Sequence, residues 1–308
     1  MRGLKIVGCG NALPKKVVAF GNGVRFRLGE DETLLDLVEN ATKDALDCAG
    51  LFMSDIDLII GAMATPLQAI PCNAALIHER IAKGTSIPAF DINSSCTSFI
   101  TAVNMASYLL ENSEYSNILI VSGDTASAAL NPKQKESYEL FSDAVSAVIV
   151  TKSDTSGVLF SKQNTWSEGA HDTEIRGGCA LQSAFKMTEE NHDDYYFDMK
   201  GKRIVRLALK VMPSFLNEGL CQAGLSLDDI DMVVPHQASR ILGLIMPKLG
   251  IPSGKYIDKV SNYGNMVSAS IPFVLNDAIL NAKITKGDTV LLIGTAAGLT
   301  ANMLVWRI

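Results

Sequence analysis

Cys96 stands in the stretch Asp91-Ile-Asn-Ser-Ser-Cys96-Thr-Ser-Phe, between small polar residues and just ahead of a helical run. From Phe99 the apolar positions Phe99, Val103, Met105, Ala106, Leu109 and Leu110 recur at helical spacing, whereas residues 87–92 read as a short buried strand. The cysteine therefore occupies a strand-to-helix corner. Free backbone N–H groups and the positive end of a helix dipole gather there, and both favour a thiolate, so Cys96 is expected to be a nucleophile.

Such a nucleophile needs an acid–base partner, and the chain holds four histidines, His78, His171, His192 and His236. His236 directly follows the buried strand pattern Met232-Val-Val-Pro235, at a carboxyl end where open α/β sheets place their ligand crevices. His78 falls in a helical run with Glu79 and Arg80, and His171 and His192 lie in a polar stretch, so these three read as surface residues. A third element is Ser261-Asn-Tyr-Gly-Asn265-Met-Val-Ser-Ala-Ser-Ile-Pro272, a turn that puts the amide of Asn265 at a helix entrance. An amide there serves as an N-cap or turn residue, or as a donor to a developing oxyanion.

The elements that must position these residues form a repeat. Ala49-Gly-Leu-Phe-Met-Ser-Asp-Ile-Asp57 precedes the strand Leu58-Ile-Ile-Gly, and Ala223-Gly-Leu-Ser-Leu-Asp-Asp-Ile-Asp231 precedes Met232-Val-Val-Pro. Each copy follows an amphipathic helix, over residues 30–48 and 203–220, with the glycine placed as a C-cap. The same offset carries the Cys96 helix onto residues 267–284, again helical in pattern. Residues 117–123 and 289–294 are matching apolar strands that end in glycine. The pattern is that of an α/β fold repeated twice. Between the copies, residues 153–200 differ, and residues 163–200 in particular lack a sustained period; they read as a surface excursion of a length that often covers a binding site.

Composition narrows the classes. The chain has 308 residues, 47% hydrophobic and 19% charged, which suits a well-buried globular protein and excludes disorder. A net charge of −6 argues against nucleic-acid partners, which need a basic face. The six cysteines lack C-x-x-C spacing, so neither a metal site nor a disulfide framework is expected, and reduced thiols fit a cytoplasmic protein. The N-terminus shows no signal core and no segment reaches the roughly 18 apolar residues of a membrane span, so no processing and no membrane partner are expected.

Taken together these residues resemble the thiolase superfamily, and within it the β-ketoacyl-acyl carrier protein synthase III group of condensing enzymes. The resemblance spans nearly the whole chain and rests on Phe90-Asp-Ile-Asn-Ser-Ser-Cys96-Thr-Ser-Phe, Val233-Val-Pro-His236-Gln-Ala-Ser, Tyr263-Gly-Asn265-Met-Val-Ser-Ala-Ser-Ile-Pro and Ile293-Gly-Thr-Ala-Ala-Gly298-Leu. It implies a thiolase-like fold of two similar βα halves stacked in layers about a pseudo-twofold axis, residues 1–155 with the nucleophile and 156–308 with the histidine and asparagine. It implies catalytic roles for Cys96, His236 and Asn265, an oxyanion hole from the backbone N–H groups of Cys96 and Ala297, and a substrate pocket touched by Gly298 and by Ile70, the latter reaching a neighbour's pocket in a homodimer.

The implied reaction is a decarboxylating Claisen condensation of an acyl-cysteine with a malonyl-type thioester, in fatty-acid or secondary-metabolite biosynthesis. The implied substrates are acyl-ACP or acyl-CoA thioesters, with no further cofactor. Simple acyl transfer from the same cysteine, or a non-catalytic partner subunit, are the alternatives. Arg203, Arg206 and Lys210 share a helix face and Arg240 follows His236, a basic patch that the resemblance assigns to docking an acyl carrier protein.

The departures are local. Between the first strand and the first helix the family carries a longer segment with a tryptophan and an arginine that grip coenzyme A, whereas here the span 13–30 is short and has no tryptophan, the first in the chain being Trp166. A carrier-protein donor is therefore expected. The family's glycine-rich stretch appears as Ser142-Asp-Ala-Val-Ser146, and its terminal glycines as Ala296-Ala-Gly298.

Overall fold

Thr33 starts the first long helix later than its apolar pattern suggests. Its side chain accepts from Asp36 N while Asp36 accepts from Thr33 N at 2.7 Å, a reciprocal cap that sets the helix at Leu34–Ala49. Gly50 closes it at φ 65°, and Gly224 closes the helix Gly201–Ala223 in the same way at φ 69°. These details come from a computed structural model that describes every residue of the chain except Asn22 and Ser113.

Two five-stranded sheets carry the fold, and they share one topology. In the first the order is Lys5–Ala12, Ala144–Thr151, Asn117–Asp124, Leu58–Gly61, Ala89–Asp91, with the first three antiparallel and the last three parallel. The second runs Gly157–Thr165, Thr300–Arg307, Thr289–Ala296, Met232–Pro235 with the same alternation, and a parallel bridge from Val233 to Tyr256 stands where the first sheet has its last strand. Arg2–Gly3 adds one short antiparallel strand to the second sheet, so the chain's first residues tie the sheets together.

The period-two rule sorts the strands into layers. Leu58, Ile60, Ile118 and Ile120 of the first sheet face Val290, Leu292, Leu304 and Trp306 of the second. Between them lie the helices Ser98–Glu111, through Phe99, Val103, Ala106 and Leu110, and Ser270–Leu280, through Ile271, Val274, Leu275 and Ala278. The alternate residues Ile59, Leu119 and Val121 pack outward on Leu34–Ala49, and Leu291, Ile293, Met303 and Val305 pack outward on Gly201–Ala223. The result is helix, sheet, helix pair, sheet, helix. Both central helices begin at the carboxyl ends of parallel strands, and that end carries the site.

Two regions differ from the sequence expectation. The start of the supposed excursion is the strand Gly157–Thr165, paired along its length with Thr300–Arg307; its run of Ser161, Lys162, Gln163 and Asn164 lies on a half-exposed strand, which hid the apolar alternation. The excursion proper, residues 166–200, contains a small antiparallel pairing of Thr173–Glu174 with Asp198–Met199. The short span after Ala12 folds into the hairpin Lys16–Phe20 with Gly23–Arg27. Among the described residues no helix is long and apolar enough to cross a membrane.

Candidate active site

The strand Ala89–Asp91 runs into a 3-10 turn, Ser95–Thr97, that opens the helix Ser98–Glu111. Asn93 Oδ1 accepts from Ser95 N at 2.8 Å, and Ser98 Oγ accepts from Ser94 N at 2.9 Å and donates to Ser95 O at 2.7 Å. These bonds hold Ser95 at φ 56°, a conformation that L-residues rarely adopt, and place Cys96 at the corner. Cys96 is partly exposed and lines a pocket. Burial, and then the charge of Asp124, push its thiol up to about 12, against the opposing hydrogen bonds of Ser95 and of the N–H groups of Cys96 and Ala297. The expected thiolate is thus corrected: enclosure by the protein outweighs the corner's amides, and Cys96 rests as a thiol at neutral pH.

His236 follows Met232–Pro235 and its N donates to Ile293 O at 2.8 Å. Gly294 makes room for it, since a Cβ there would stand 2.7 Å from the histidine Cβ. His236 is 4% exposed, and burial lowers its pKa to about 4, so the ring is neutral at pH 7. Nδ1 is sealed off without a hydrogen-bond partner, which leaves Nε2 as the nitrogen able to serve a substrate.

Asn265 is stitched to the other half of the chain: its N donates to Leu140 O and its O accepts from Ser142 N, both at 2.9 Å. Gly264 ahead of it has φ 72°, and a Cβ there would meet Leu140 O at 2.4 Å and Arg25 Cδ at 2.5 Å, so only glycine fits. The side-chain oxygen of Asn265 accepts from Val267 N at 2.9 Å, which turns its Nδ2 donors outward from that turn.

One cavity of about 610 Å³ is lined by Cys96, His236, Asn265, Ala297 and Gly298 together. Gly169, residues 172–175 and residues 177–179 of the excursion form part of its wall, so the excursion borders the site. Another hollow of about 620 Å³, at Lys133, Met187 and His192, shares none of these residues. Among the described residues no group of three or more His, Cys, Asp and Glu could hold a metal ion.

Sequence reasoning missed Asp124, which also lines the cavity. It is 1% exposed and accepts from Ala64 N, Thr65 N, Thr65 Oγ1, Ser268 N and Ser268 Oγ. Burial raises its pKa while the bonds from Ser268 and Thr65 pull it down. The available signal was a charged residue closing an otherwise buried strand, Asn117–Asp124.

Comparison with known proteins decides the family. A model described as 3-oxoacyl-[acyl-carrier-protein (ACP)] synthase III matches residues 90–167, and its C-terminal counterpart matches residues 220–308. A β-ketoacyl-[acyl-carrier-protein] synthase III of Clostridium perfringens (strain ATCC 13124) is 35% identical over 97% of this chain and 98% of its own length. The chain belongs to the 3-oxoacyl-[acyl-carrier-protein] synthase III family. The crystal structure of the Aquifex aeolicus VF5 member is 28% identical, with a TM-score of 0.87 covering 99% of this chain and 100% of that one. The priming β-ketosynthase of the R1128 polyketide pathway shares the fold at a TM-score of 0.87 and 24% identity, covering 99% of this chain and 96% of its own.

Within this synthase III framework the remaining expected residues fall as follows. Ile70 is 83% exposed and lies outside the chain's own cavity. Arg203, Arg206 and Lys210 are exposed on Gly201–Ala223, with Arg203 paired to Asp172 at 2.9 Å. Arg240 donates to Glu139 O at 2.8 Å and stays half exposed. The arginines of the short N-terminal span are occupied: Arg25, 1% exposed, donates to the carbonyls of Glu139 and Ser261, and Arg27 lies over the rings of Phe20 and Tyr138. His78, His171 and His192 are exposed and stand outside the cavity lining.

Proposed function

We propose that this synthase III performs a decarboxylating condensation with Cys96 as nucleophile and His236 and Asn265 as the donors to the extender. The observation that carries this reading is the convergence of Cys96, His236, Asn265 and Ala297 on one cavity. In the first half-reaction Cys96 Sγ attacks an acyl thioester. The carbonyl oxygen becomes an oxyanion held by the N–H groups of Cys96 and Ala297, and the donor's thiol leaves with the proton the cysteine gives up.

In the second half-reaction a malonyl-type thioester places its carbonyl oxygen against His236 Nε2–H and Asn265 Nδ2–H. The bond to the carboxylate breaks, its electron pair forms the enolate that these donors hold, and carbon dioxide leaves. The enolate carbon attacks the acyl carbonyl, and Cys96 departs as a thiolate that takes a proton back. A ring with a pKa of about 4 donates as neutral imidazole, so enolate stabilisation rests on hydrogen bonds rather than on a full positive charge. Two donors beside the nucleophile favour condensation over simple acyl transfer, which has no use for them.

The donor is an acyl carrier protein thioester, docked on Arg206, Lys210 and Arg240, in preference to coenzyme A. The occupied state of Arg25 and Arg27 supports this. Residues 1–155 and 156–308 act as the two halves of one body. The working unit is a homodimer: Ala89–Asp91 is an edge strand that carries the exposed Phe90, and Ile70 is 83% exposed outside the chain's own pocket, surfaces that a second copy would cover. Intact mass after exposure to acyl thioesters, with carbon dioxide release from a malonyl thioester, tests the reaction.

A further inference from the structure

Arg25 is buried against the turn that carries Asn265, yet it lies outside the cavity lining and touches none of the reacting groups. It belongs to the hairpin strand Gly23–Arg27 and is 1% exposed. Its Nε donates to Glu139 O at 2.9 Å, and its Nη1 donates to Val24 O and, at 3.4 Å, to Ser261 O. Glu139 directly precedes Leu140, whose carbonyl accepts from Asn265 N at 2.9 Å, and Ser261 opens the segment that leads into Asn265. One guanidinium therefore fastens both backbone segments that hold Asn265. The stem of Arg25 packs on the residue between them, since a Cβ at Gly264 would stand 2.5 Å from Arg25 Cδ and 2.6 Å from its Nε.

Keeping a cation in that place is costly. Burial, and then the charge of Arg240, lower the Arg25 pKa to about 10. The carboxylate of Glu139 is taken up with other partners, with Lys135 at 3.7 Å from Oε1 and Arg240 at 3.5 Å from Oε2, so the charge of Arg25 rests on backbone carbonyls. An apolar side chain of similar length would fill the space without that desolvation cost. What it would lack is a planar fork that fixes separate carbonyls at once. The corner of Cys96 is set by different bonds, through Asn93, Ser94, Ser95 and Ser98, and Arg25 enters none of them. The two half-reactions should then depend on Arg25 to different degrees.

Resting on the proposed condensation, we propose that Arg25 is a positioning residue for its second half-reaction: it holds the Asn265 turn so that Nδ2 meets the carbonyl oxygen of the malonyl-type thioester, and it takes no part in acylation of Cys96.

The test uses the whole enzyme as wild type, Arg25→Met, Arg25→Lys, Asn265→Ala and the double variant Arg25→Met with Asn265→Ala. Acylation of Cys96 by an acyl thioester is followed by intact mass, and carbon dioxide release is followed after addition of a malonyl thioester. Arg25→Met should acylate within about twofold of the wild type while carbon dioxide release falls roughly 10–100-fold, the scale of a small misplacement of a catalytic group. Arg25→Lys keeps the charge and one donor head, and should recover part of that loss. In the double variant the methionine should add little to the loss already caused by Asn265→Ala, because the group it misplaces is gone. A merely structural arginine would instead lower both half-reactions together and add its loss to that of Asn265→Ala; either result overturns the inference, as does full carbon dioxide release in Arg25→Met. Should Arg25→Met not fold, Arg25→Lys alone and with Asn265→Ala carries the same two comparisons. A wild type that releases no carbon dioxide overturns the condensing reading itself, and this inference with it.

Discussion

Asp124 Oδ2 and Ser268 Oγ are joined by a 2.5 Å hydrogen bond that ties the end of one sheet to the entrance of the other half's central helix. Ser268 follows Val267 at φ 52°, as Cys96 follows Ser95 at φ 56°, and Asn265 caps its turn as Asn93 caps the other. The two halves thus build the same strained corner twice. One corner presents the nucleophile, and the other fixes Asn265 and is fastened to the first by Asp124.

Asp124→Asn should therefore act in two directions. An amide must turn an NH2 toward donors that now point at oxygen, costing about 1–3 kcal/mol, seen as a lower thermal unfolding midpoint. Loss of the negative charge should lower the Cys96 pKa, so iodoacetamide alkylation of Cys96 at pH 8 should accelerate in the variant. Unchanged or slower alkylation in the folded variant would show that Asp124 does not oppose the thiolate.

Below neutrality, His236 should govern part of the stability. Its folded pKa of about 4 lies under the 6.5 of an unperturbed histidine, so between these limits the unfolded chain binds the extra proton and stability falls as pH falls. The full loss is about 3 kcal/mol, most of it incurred by about pH 4 and complete only below that. His236→Gln should flatten denaturant-unfolding stability between pH 6.5 and 4 relative to the wild type; equal slopes in both proteins would remove His236 as the cause.

His236→Ala and Asn265→Ala should still form the acyl-enzyme but lose malonyl decarboxylation by about 10²–10³-fold, the usual cost of removing an oxyanion donor. Full condensation in either variant would take that residue out of the enolate site.

The placement of Cys96, His236 and Asn265 was legible because each piece is local. Cys96, His236 and Asn265 each sit where a strand ends or a helix begins, and the Ala-Gly-Leu repeat exposes the duplication that brings them together. What was not legible depends on contacts across the chain. Asp124 has its role only through Ala64, Thr65 and Ser268, and the thiol state of Cys96 follows from burial that the surrounding fold supplies. Gly157–Thr165 escaped because the polar residues of a half-exposed strand resemble a loop. Arg25 and Arg27 show a further limit, since whether an arginine is free for phosphate depends on carbonyls and rings brought to it by folding.

The basic face allows a selective perturbation. Arg206→Glu together with Arg240→Glu should slow acylation of Cys96 by a carrier-protein thioester, more at low salt than at high salt, and leave the same acyl group on coenzyme A little affected. A carrier rate that does not change, or coenzyme A as the faster donor in the wild type, would contradict carrier docking here.

The most direct measurement gives the wild type and Cys96→Ala an acyl thioester and a malonyl thioester, and follows enzyme mass, carbon dioxide and product together. The wild type is expected to give an acyl adduct, with carbon dioxide and β-ketoacyl product in equal amounts, and Cys96→Ala neither adduct nor product. An adduct on Cys96→Ala, or acyl transfer by the wild type without carbon dioxide release, would contradict it.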